Sequence, residues 1–275
     1  MYSTLMVYLE PGLDPAPLLQ VAGDLAERFD AAVIGVAASQ PIKLVYGDDA
    51  LSGDIIEMDL AEIQQATAVL KEKFHAALQA RASHLEWRSR ISADHPVDYL
   101  ACQARSADLV IANIDRHAAF IDDSRRVNTS DLAMQAGRPV LVVPPGLDAL
   151  AARHVLVGWK DTREARRAVL DAVPFLAAAT RVVVAEIVDG AVAGDAAAGV
   201  RDVEHWLRRH GVQAESRILP AEGDGARQLV AAARGEGADL IVSGAYGHSR
   251  LREWVLGGVT RNLLQSAATC TLMSH

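Results

Sequence analysis

The sequence predicts an α/β protein built from two similar domains, each a mostly parallel sheet with helices on both faces. Three observations lead to this class. The chain has 275 residues, a length that favours two domains because a domain typically takes about 100–200 residues. Short runs rich in Val, Ile and Leu alternate with helical segments, which is typical of βαβ units. The second half of the chain also repeats the order and spacing of the first.

The predicted strands are short apolar runs that do not alternate strictly with polar residues, as expected for strands covered on both faces. In the first half they span residues 4–9, 32–38, 108–112 and 140–143. In the second half they span residues 155–157, 181–188, 239–243 and 271–273. Two further runs, 85–91 and 213–219, do alternate, and we expect them towards the edges of the sheets.

Segments with apolar residues three to four positions apart lie between the strands and predict amphipathic helices. Asp14 as a candidate N-cap, with Pro15 in the first turn, predicts the start of the first helix. A stripe in the first half consists of Ile63, Ala66, Leu70, Phe74 and Ala77. Stripes in the second half consist of Ala165, Ala168, Val169, Ala172, Val173 and Leu176, and of Val200, Val203, Trp206, Leu207 and His210. Trp159 and Trp206 are expected to serve mainly in packing.

The same pattern occurs twice in the chain, displaced by 131 positions. Residues 107–111 (ADLVI) align with residues 238–242 (ADLIV), and Thr129 aligns with Thr260. The order of strands and helices agrees in this register. A period of this length indicates duplication of a whole domain rather than a solenoid repeat.

The boundary between the two copies lies near Pro144-Pro145-Gly146, where two prolines and a glycine end a strand. We predict a first domain over residues 1–146 and a second over residues 153–275. Each is expected to be Rossmann-like, with right-handed crossovers between parallel strands.

Composition limits the classes of function. Apolar residues make up 51% of the chain and charged residues 23%, the usual globular mix. A net charge of −8 argues against binding nucleic acid or anionic membranes. Cys102 and Cys270 have no metal-ligand spacing and are predicted to be small core residues of a protein in a reducing compartment. No signal peptide or apolar stretch of membrane-spanning length is recognisable, so we expect a cytoplasmic protein.

The second half contains a glycine pattern, G-x2-G-x9-G-G-x-T, directly after a predicted buried strand. Residues without a Cβ let the backbone adopt positive φ and approach a ligand closely. Successive amides in such a turn form an anion nest, and the following helix would direct its positive N-terminus to the same place. The pattern therefore indicates a phosphate site, although a tight turn without a ligand remains an alternative. Its residues are Gly244, Gly247, Gly257, Gly258 and Thr260.

The first half has a loop of equal length in which every glycine is replaced. Asn113, Arg116, Arg126 and Val127 stand where the second half has its four glycines. Larger side chains would fill the nest or forbid its backbone geometry. The arginines there are interpreted as solvated or paired with neighbouring acids, with a charge offered to an anion as the alternative.

Residues 238–250 and 256–264 resemble the nucleotide-binding signature of the universal stress protein family, and residues 155–165 resemble the first strand and turn of that family. The resemblance is to its tandem, two-domain members and is strongest in the second half. It implies five-stranded, mostly parallel domains of the adenine nucleotide alpha hydrolase-like type. It also implies binding of ATP, AMP or a related adenine nucleotide, with dimer-like pairing of the domains.

The resemblance assigns candidate ligand contacts residue by residue. Gly158, Trp159 and Lys160 match the end of the first strand beside the base and ribose, and Ile187 matches the apolar contact to adenine. His248 lies inside the loop, where it either touches phosphate or does nothing. The phosphate and ribose loop itself is matched by Gly244, Gly247, Gly257, Gly258, Val259 and Thr260.

Two residues depart from the pattern of nucleotide-binding members. Lys160 stands where an acid is usual, and an ammonium can only donate, whereas a carboxylate accepts from ribose hydroxyls. Lys160 therefore either reaches a phosphate or spoils the ribose site. Gly258 stands where Ser or Thr is common, and Thr260 partly replaces that hydroxyl.

Three functions are consistent with these residues. The first is a stress-response or signalling module that binds adenine nucleotide in its second domain, with the first domain as a built-in partner and a homodimer as a further possibility. The second is a nucleotide-free structural or interaction protein, and the third is a slow ATP hydrolase. We predict no catalytic residue and no metal ligand, although Mg²⁺ could arrive with the nucleotide. Asp239 has a twin in Asp108, which indicates a shared structural role rather than a metal site.

Overall fold

The computed structural model describes residues 1–42, 49–114, 127–188, 193–245 and 269–275, with side chains from 53 and from 194 in the helices that begin at 49 and 193. The first half contains the strands β1 (Thr4–Tyr8), β2 (Ala32–Ser39), β3 (Leu85–Ile91), β4 (Leu109–Asn113) and β5 (Val140–Val143). Its helices are α1 (Ala16–Phe29), α2 (Asp49–Leu78), α3 (Pro96–Gln103) and α4 (Thr129–Gln135), with a 3₁₀ turn at Ala104–Ser106.

The second half repeats this order. Its strands are β6 (His154–Gly158), β7 (Arg181–Val188), β8 (Ala214–Pro220), β9 (Leu240–Gly244) and β10 (Cys270–Ser274). Its described helices are α5 (Arg163–Leu176), α6 (Ala193–Arg209) and α7 (Gly225–Gly235). Each predicted strand falls on an observed one, so the interpretation of apolar runs as buried strands is confirmed.

All ten strands form one sheet in the order β3-β2-β1-β4-β5-β10-β9-β6-β7-β8. Pairing within each half is parallel, as predicted. The halves meet at β5 and β10, which pair antiparallel with Leu141 opposite Leu272. Each half thereby covers the edge that the other would leave open. The two alternating runs form β3 and β8, the outer edges, which confirms that expectation.

Helices cover both faces of the sheet, as predicted, and each face has its own core. One core holds Leu25 of α1, Phe74 of α2, Ala168 of α5 and Leu207 of α6. The other holds Leu100, Leu132 and Leu229 from α3, α4 and α7. Both cores contain residues from both halves, so burial of apolar area links the halves as well as stabilising each one. The domain limits at 146 and 153 stay a prediction.

An aromatic cluster reinforces the contact between the halves. The ring of Tyr2 lies 5.1 Å from that of Phe29 and 5.5 Å from that of Phe175. The Tyr2 hydroxyl donates to the backbone carbonyl of Asp171, and burial, with the nearby carboxylates, raises the pKa of Tyr2 well above its usual value. The guanidinium of Arg28 also crosses the junction, donating to the carbonyl of Ala151 at 3.0 Å.

Two local predictions differ from the structure. The backbone N-cap of α1 is Pro15, one residue later than predicted, and Pro15 makes no side-chain cap. Asp14 nevertheless accepts from the amide of Ala16 at 3.2 Å, which is the bond that a capping side chain at residue 14 makes. Cys102 is exposed, because α3 turns Leu100 and Gln103 inward and Cys102 outward. Cys270 is buried as predicted, and burial raises the pKa of its thiol to about 12.

Candidate functional site

The carboxyl ends of β6 and β9 form the switch point of the second half. These strands are neighbours, with Gly158 paired to Ser243. From β6 the chain proceeds outward to β7 and β8, whereas β9 and β10 lie on its other side. In open α/β sheets, ligands bind in the crevice at such a point. The described candidates Gly158, Trp159, Lys160 and Gly244 all lie at this edge of the sheet.

Gly244 is required for close packing. A Cβ added there would lie 2.6 Å from the amide nitrogen of Ala165 and 2.7 Å from the carbonyl carbon of Glu164. The first turn of α5 therefore rests directly on the end of β9. Positive φ was the expected reason for glycine, and at this residue it is wrong, because Gly244 does not have a positive φ. The absence of a Cβ serves the approach of a helix N-terminus to the candidate site.

Gly158 also has a packing role. A Cβ at this position would lie 2.7 Å from Cδ2 of Leu229 on α7. Glycine here lets α7 lie close to the end of β6 on the opposite face from α5. A larger residue at this position would require the Leu229 side chain to move, and the predicted contact of Gly158 with base or ribose stays a prediction.

Trp159 is buried, with 8% of its surface exposed, in the core beneath α5 and α6. Its amide donates to the carbonyl of Ala185 at 2.8 Å, which extends the pairing of β6 and β7 by one residue. Its indole Nε1 is buried and has no hydrogen-bond partner among the residues that the structure describes. The packing role is confirmed. Trp206 is half-buried against the same core, with its ring 4.1 Å from that of His210.

Three charged residues lie near the carboxyl ends of β6 and β7. Lys160 and Asp161 are exposed at the turn that leads into α5, and Glu186 is half-buried near the end of β7. Burial raises the pKa of Glu186 and the negative charge of Asp161 raises it further, while the Lys160 ammonium acts in the opposite direction. Ile187 packs half-buried on the other face. Sequence reasoning missed Glu186, although its place beside Ile187 at a strand end was a usable signal.

Glu164 is a buried carboxylate in the first turn of α5. Burial acts to raise its pKa, but hydrogen bonds from Arg163, from its own backbone amide and from Thr162 outweigh burial and lower the pKa. Thr162 caps the same turn, accepting from the amide of Ala165 at 3.3 Å. An acid in the first turn also suits the positive end of the helix dipole. The carboxylate is therefore charged and held by its own helix.

At the corresponding edge of the first half, the side chain of Asn128 caps the start of helix α4. Asn128 Oδ1 accepts from the amides of Ser130 at 2.8 Å and Asp131 at 3.4 Å, at the start of α4. These amides are the groups with which a helix N-terminus would bind an anion. The Thr129 hydroxyl donates to the carbonyl of Asn113 at 3.1 Å, across the loop. Sequence reasoning missed this cap, although Asn followed three residues later by an acid is a recognisable helix start.

Asp108 and Asp239 have the same structural role, as predicted. Asp108 accepts from the amides of Ser3 and Thr4 at 2.7 and 3.0 Å. Asp239 accepts from the amides of Arg153 and His154 at 3.0 and 3.1 Å. Each carboxylate joins the start of its own strand to the start of the neighbouring strand, at the edge opposite the candidate site.

The central part of the glycine pattern lies outside the described residues. The predictions for Gly247, His248, Gly257, Gly258, Val259 and Thr260 fall there, as do Arg116 and Arg126 of the first half. Within the described ranges, no three His, Cys, Asp or Glu side chains are grouped as a metal site would require. No helix in those ranges is both long and apolar enough to span a bilayer.

Comparison with known proteins finds a family match in the second half. The model of the universal stress protein family matches residues 151–274. A universal stress protein from Archaeoglobus fulgidus DSM 4304 is similar in structure, with a TM-score of 0.75 at 14% identity over 98% of this chain and 95% of that chain. A functionally unknown protein from Pseudomonas aeruginosa PAO1 has a TM-score of 0.59 at 14% identity, over 99% and 92%. No curated protein matches the sequence. These structural likenesses show a shared fold across both halves.

Proposed function

We propose that the second half, whose residues 151–274 match the model of the universal stress protein family, binds ATP or another adenine nucleotide. The nucleotide would lie at the carboxyl ends of β6 and β9 and serve stress response or signalling. A cytoplasmic location and a Mg²⁺ ion carried by the nucleotide phosphates belong to the same proposal.

The difference between two matching sequence positions, Asn128 and Val259, carries this proposal. In the first half, Asn128 caps α4 and uses two of its first amides. The residue 131 positions later is Val259, whose side chain cannot accept a hydrogen bond. Capping residues are preferred at helix starts because these amides otherwise lack a partner. A phosphate supplied by a ligand would satisfy them in the second half.

The described wall of the crevice also supports a nucleotide. The N-terminus of α5 lies against Gly244, so a second helix start faces the same edge of the sheet. Ile187 offers an apolar surface for a base. Trp159 Nε1 is a buried donor that has no partner within the described part of the chain. Apolar walls with a few convergent polar groups are typical of small-molecule sites.

Thr129, which matches Thr260, indicates that the Thr260 hydroxyl serves the loop rather than the phosphate. Thr129 donates to the carbonyl of Asn113, and the matching carbonyl in the second half belongs to Gly244. We propose that Thr260 closes the loop in the same way and that backbone amides supply the phosphate contacts. Lys160, exposed beside the crevice, would then be placed to donate to a phosphate.

Isothermal titration with ATP and AMP tests this function. Wild type is compared with Gly257→Asp, which places a carboxylate in the loop, and with Arg126→Asp, the matched change in the first half. We expect binding by wild type, its loss in Gly257→Asp, and its retention in Arg126→Asp. Absence of binding by wild type at millimolar nucleotide would overturn the proposal.

A nucleotide-free interaction module is the second candidate, and the observation that favours it is the cation at Lys160 beside a possible ribose site. Thermal unfolding separates the two, because a ligand that binds only the folded state raises the melting temperature. An unchanged melting temperature at millimolar ATP, with or without Mg²⁺, would favour this second function.

A further inference from the structure

The second half carries a half-buried acid, Glu186, near the carboxyl end of β7. Glu186 lies opposite Trp159, because the amide of Trp159 donates to the carbonyl of Ala185 and so continues the parallel pairing of β6 and β7 by one residue. Neighbouring strands are about 4.8 Å apart, and side chains alternate between the two faces of a strand. Val184 packs in the core that also holds Trp159, so Glu186 is on the same face as Trp159. The acid therefore stands beside the residue that ends β6.

Glu186 differs from other acids that the fold removes from solvent. Three buried or half-buried glutamates of the second half each have an arginine partner, in the pairs Glu164–Arg163, Glu204–Arg208 and Glu236–Arg217. Within the described ranges, no hydrogen bond or ion pair reaches the Glu186 carboxylate, and the charges that act on it belong to Lys160 and Asp161, in the turn after β6. Removing a charge from water without a partner costs free energy. Stability of the fold alone therefore gives no reason for an acid at this position.

The strand register shows which residue of the first half matches Glu186. The amide of Leu9 donates to the carbonyl of Val36 at 2.9 Å, as the amide of Trp159 does to the carbonyl that precedes Glu186. The residue after Val36 is Ala37. The first half therefore has an alanine where the second half has the acid.

The two halves hold their acid at different places of the same edge. The residue that follows Leu9 is Glu10, and the residue that follows Trp159 is Lys160. The first half thus has a carboxylate after β1 and an alanine in β2, whereas the second half has a cation after β6 and a carboxylate in β7. Each half therefore has one carboxylate near the ends of its first two strands, and the presence of Lys160 does not remove it.

We propose that the Glu186 carboxylate accepts hydrogen bonds from the sugar hydroxyls of the bound nucleotide and selects ribose over sugars that lack those hydroxyls. This inference rests on the proposed function, because it assigns one contact of the same ligand. A carboxylate can only accept and a hydroxyl can donate, whereas the ammonium of Lys160 can only donate. Acids bind the ribose hydroxyls of dinucleotides in this way in Rossmann folds. The sugar would supply the partner that the carboxylate lacks, and Lys160 is left for the phosphate.

Titration calorimetry of the full chain with ATP and with 2′,3′-dideoxy-ATP, which lacks both sugar hydroxyls, tests the inference. The quantity compared is the ratio of the Kd for dideoxy-ATP to the Kd for ATP. We expect a ratio of at least about ten in wild type, because hydrogen bonds to charged groups are among the stronger ones. Equal Kd values would overturn this inference and leave the proposed function standing. Absence of binding of either nucleotide would overturn the proposed function, and this inference with it.

Glu186→Ala gives the second half the residue that the first half has at the matching place. ATP should bind this variant about tenfold more weakly than wild type, while the Kd for dideoxy-ATP should stay near the wild-type value. The ratio of the two Kd values should therefore fall towards one. A ratio that remains at the wild-type value would contradict the role of Glu186. Circular dichroism checks that this variant and those below are folded.

A second substitution moves the acid to the place that it has in the first half. In Lys160→Glu with Glu186→Ala, both nucleotides should bind more weakly because a cation near the phosphates is lost, but the ratio should again rise well above one. A ratio near one in this double variant would contradict the equivalence of the two positions. The matched control is Glu222→Ala, which removes an exposed acid after β8 and should leave the ratio unchanged. An equal fall of the ratio in the control would show that net charge, rather than a contact with the sugar, sets the preference.

Inosine triphosphate separates a contact with the sugar from a contact with the base. It keeps both ribose hydroxyls and has an oxygen in place of the exocyclic amine of adenine. If Glu186 binds the sugar, Glu186→Ala should weaken the binding of ATP and of inosine triphosphate by the same factor. If the substitution weakens only ATP, the carboxylate accepts from the base and the inference is wrong.

Discussion

The ends of β4 and β9 occupy equivalent places in the two halves and are followed by different residues. Beyond β4, Asn128 caps the next helix and Thr129 closes the loop onto Asn113. Beyond β9, the equivalent residues are Val259, Thr260 and Gly244. In the first half a side chain of the chain itself thus caps the helix start, whereas the matching position in the second half holds Val259, whose side chain cannot accept a hydrogen bond.

A second difference lies at the first strands. Leu5 and Val155 hold the same place in the two sheets, since they pair with Leu109 and Leu240. In that register Glu10 matches Lys160. The first half has the acid without the glycines, and the second half has the glycines without the acid. The two halves therefore carry different parts of the pattern that the family resemblance implies.

The largest expected effect concerns Gly244. In Gly244→Val the new side chain meets the backbone of α5, which cannot yield without moving the helix. Overpacking of this kind costs about 3 kcal/mol of unfolding free energy. At the matching place the first half already holds a side chain, so Asn113→Val should cost about 1 kcal/mol or less. Urea unfolding of both variants measures the difference, and equal losses would show that the two strand ends are packed alike.

How far the sequence predicts this molecule depends on the kind of signal. The strands are predictable because buried parallel strands are continuous apolar runs. The antiparallel pairing of Leu141 with Leu272 is not predictable, because no local signal in the sequence indicates it. The glycine pattern was recognised, but the reason for Gly244 was misjudged. Its constraint is the backbone of Ala165, a residue about 80 positions away that only tertiary packing brings near. The cap by Asn128 was readable locally and was missed.

The next effect concerns two acids that hold the strand starts. Asp239→Ala leaves the amides of Arg153 and His154 without their carboxylate acceptor, and Asp108→Ala does the same to Ser3 and Thr4. Losing such acceptors costs about 1–2 kcal/mol. Because the geometry is shared, we expect similar losses of thermal stability in the two halves. If Asp239→Ala leaves thermal stability unchanged while Asp108→Ala lowers it, the two contacts are not equivalent.

A smaller effect concerns the helix cap. Asn128→Ala should lower the free energy of unfolding by about 1 kcal/mol, the usual value for losing a capping side chain. Asn128→Asp keeps an acceptor at the same place and should be nearly neutral. Chemical unfolding at pH 7 distinguishes them. If both variants lose the same stability, the hydrogen bonds of Asn128 are not the cause.

The smallest effect is a pH dependence. The pKa of Glu186 is raised by burial and by Asp161, so the folded state binds its proton more tightly than the unfolded state does. Its contribution to stability is present at acid pH and falls as pH rises from the usual glutamate value through the raised one. Glu186→Gln should therefore melt near wild type at acid pH and above wild type at neutral pH. If the melting temperatures of Glu186→Gln and wild type differ by the same amount at every pH, this role is excluded.

The proposed function requires that backbone amides near Val259 bind a phosphate of the nucleotide. The most direct measurement is the Kd for ATP of Val259→Asn, which gives the second half the cap that the first half has. We predict at least about tenfold weaker binding, equivalent to about 1.4 kcal/mol, with melting temperature in the absence of ATP unchanged or raised. A variant that binds ATP as tightly as wild type would contradict the claim.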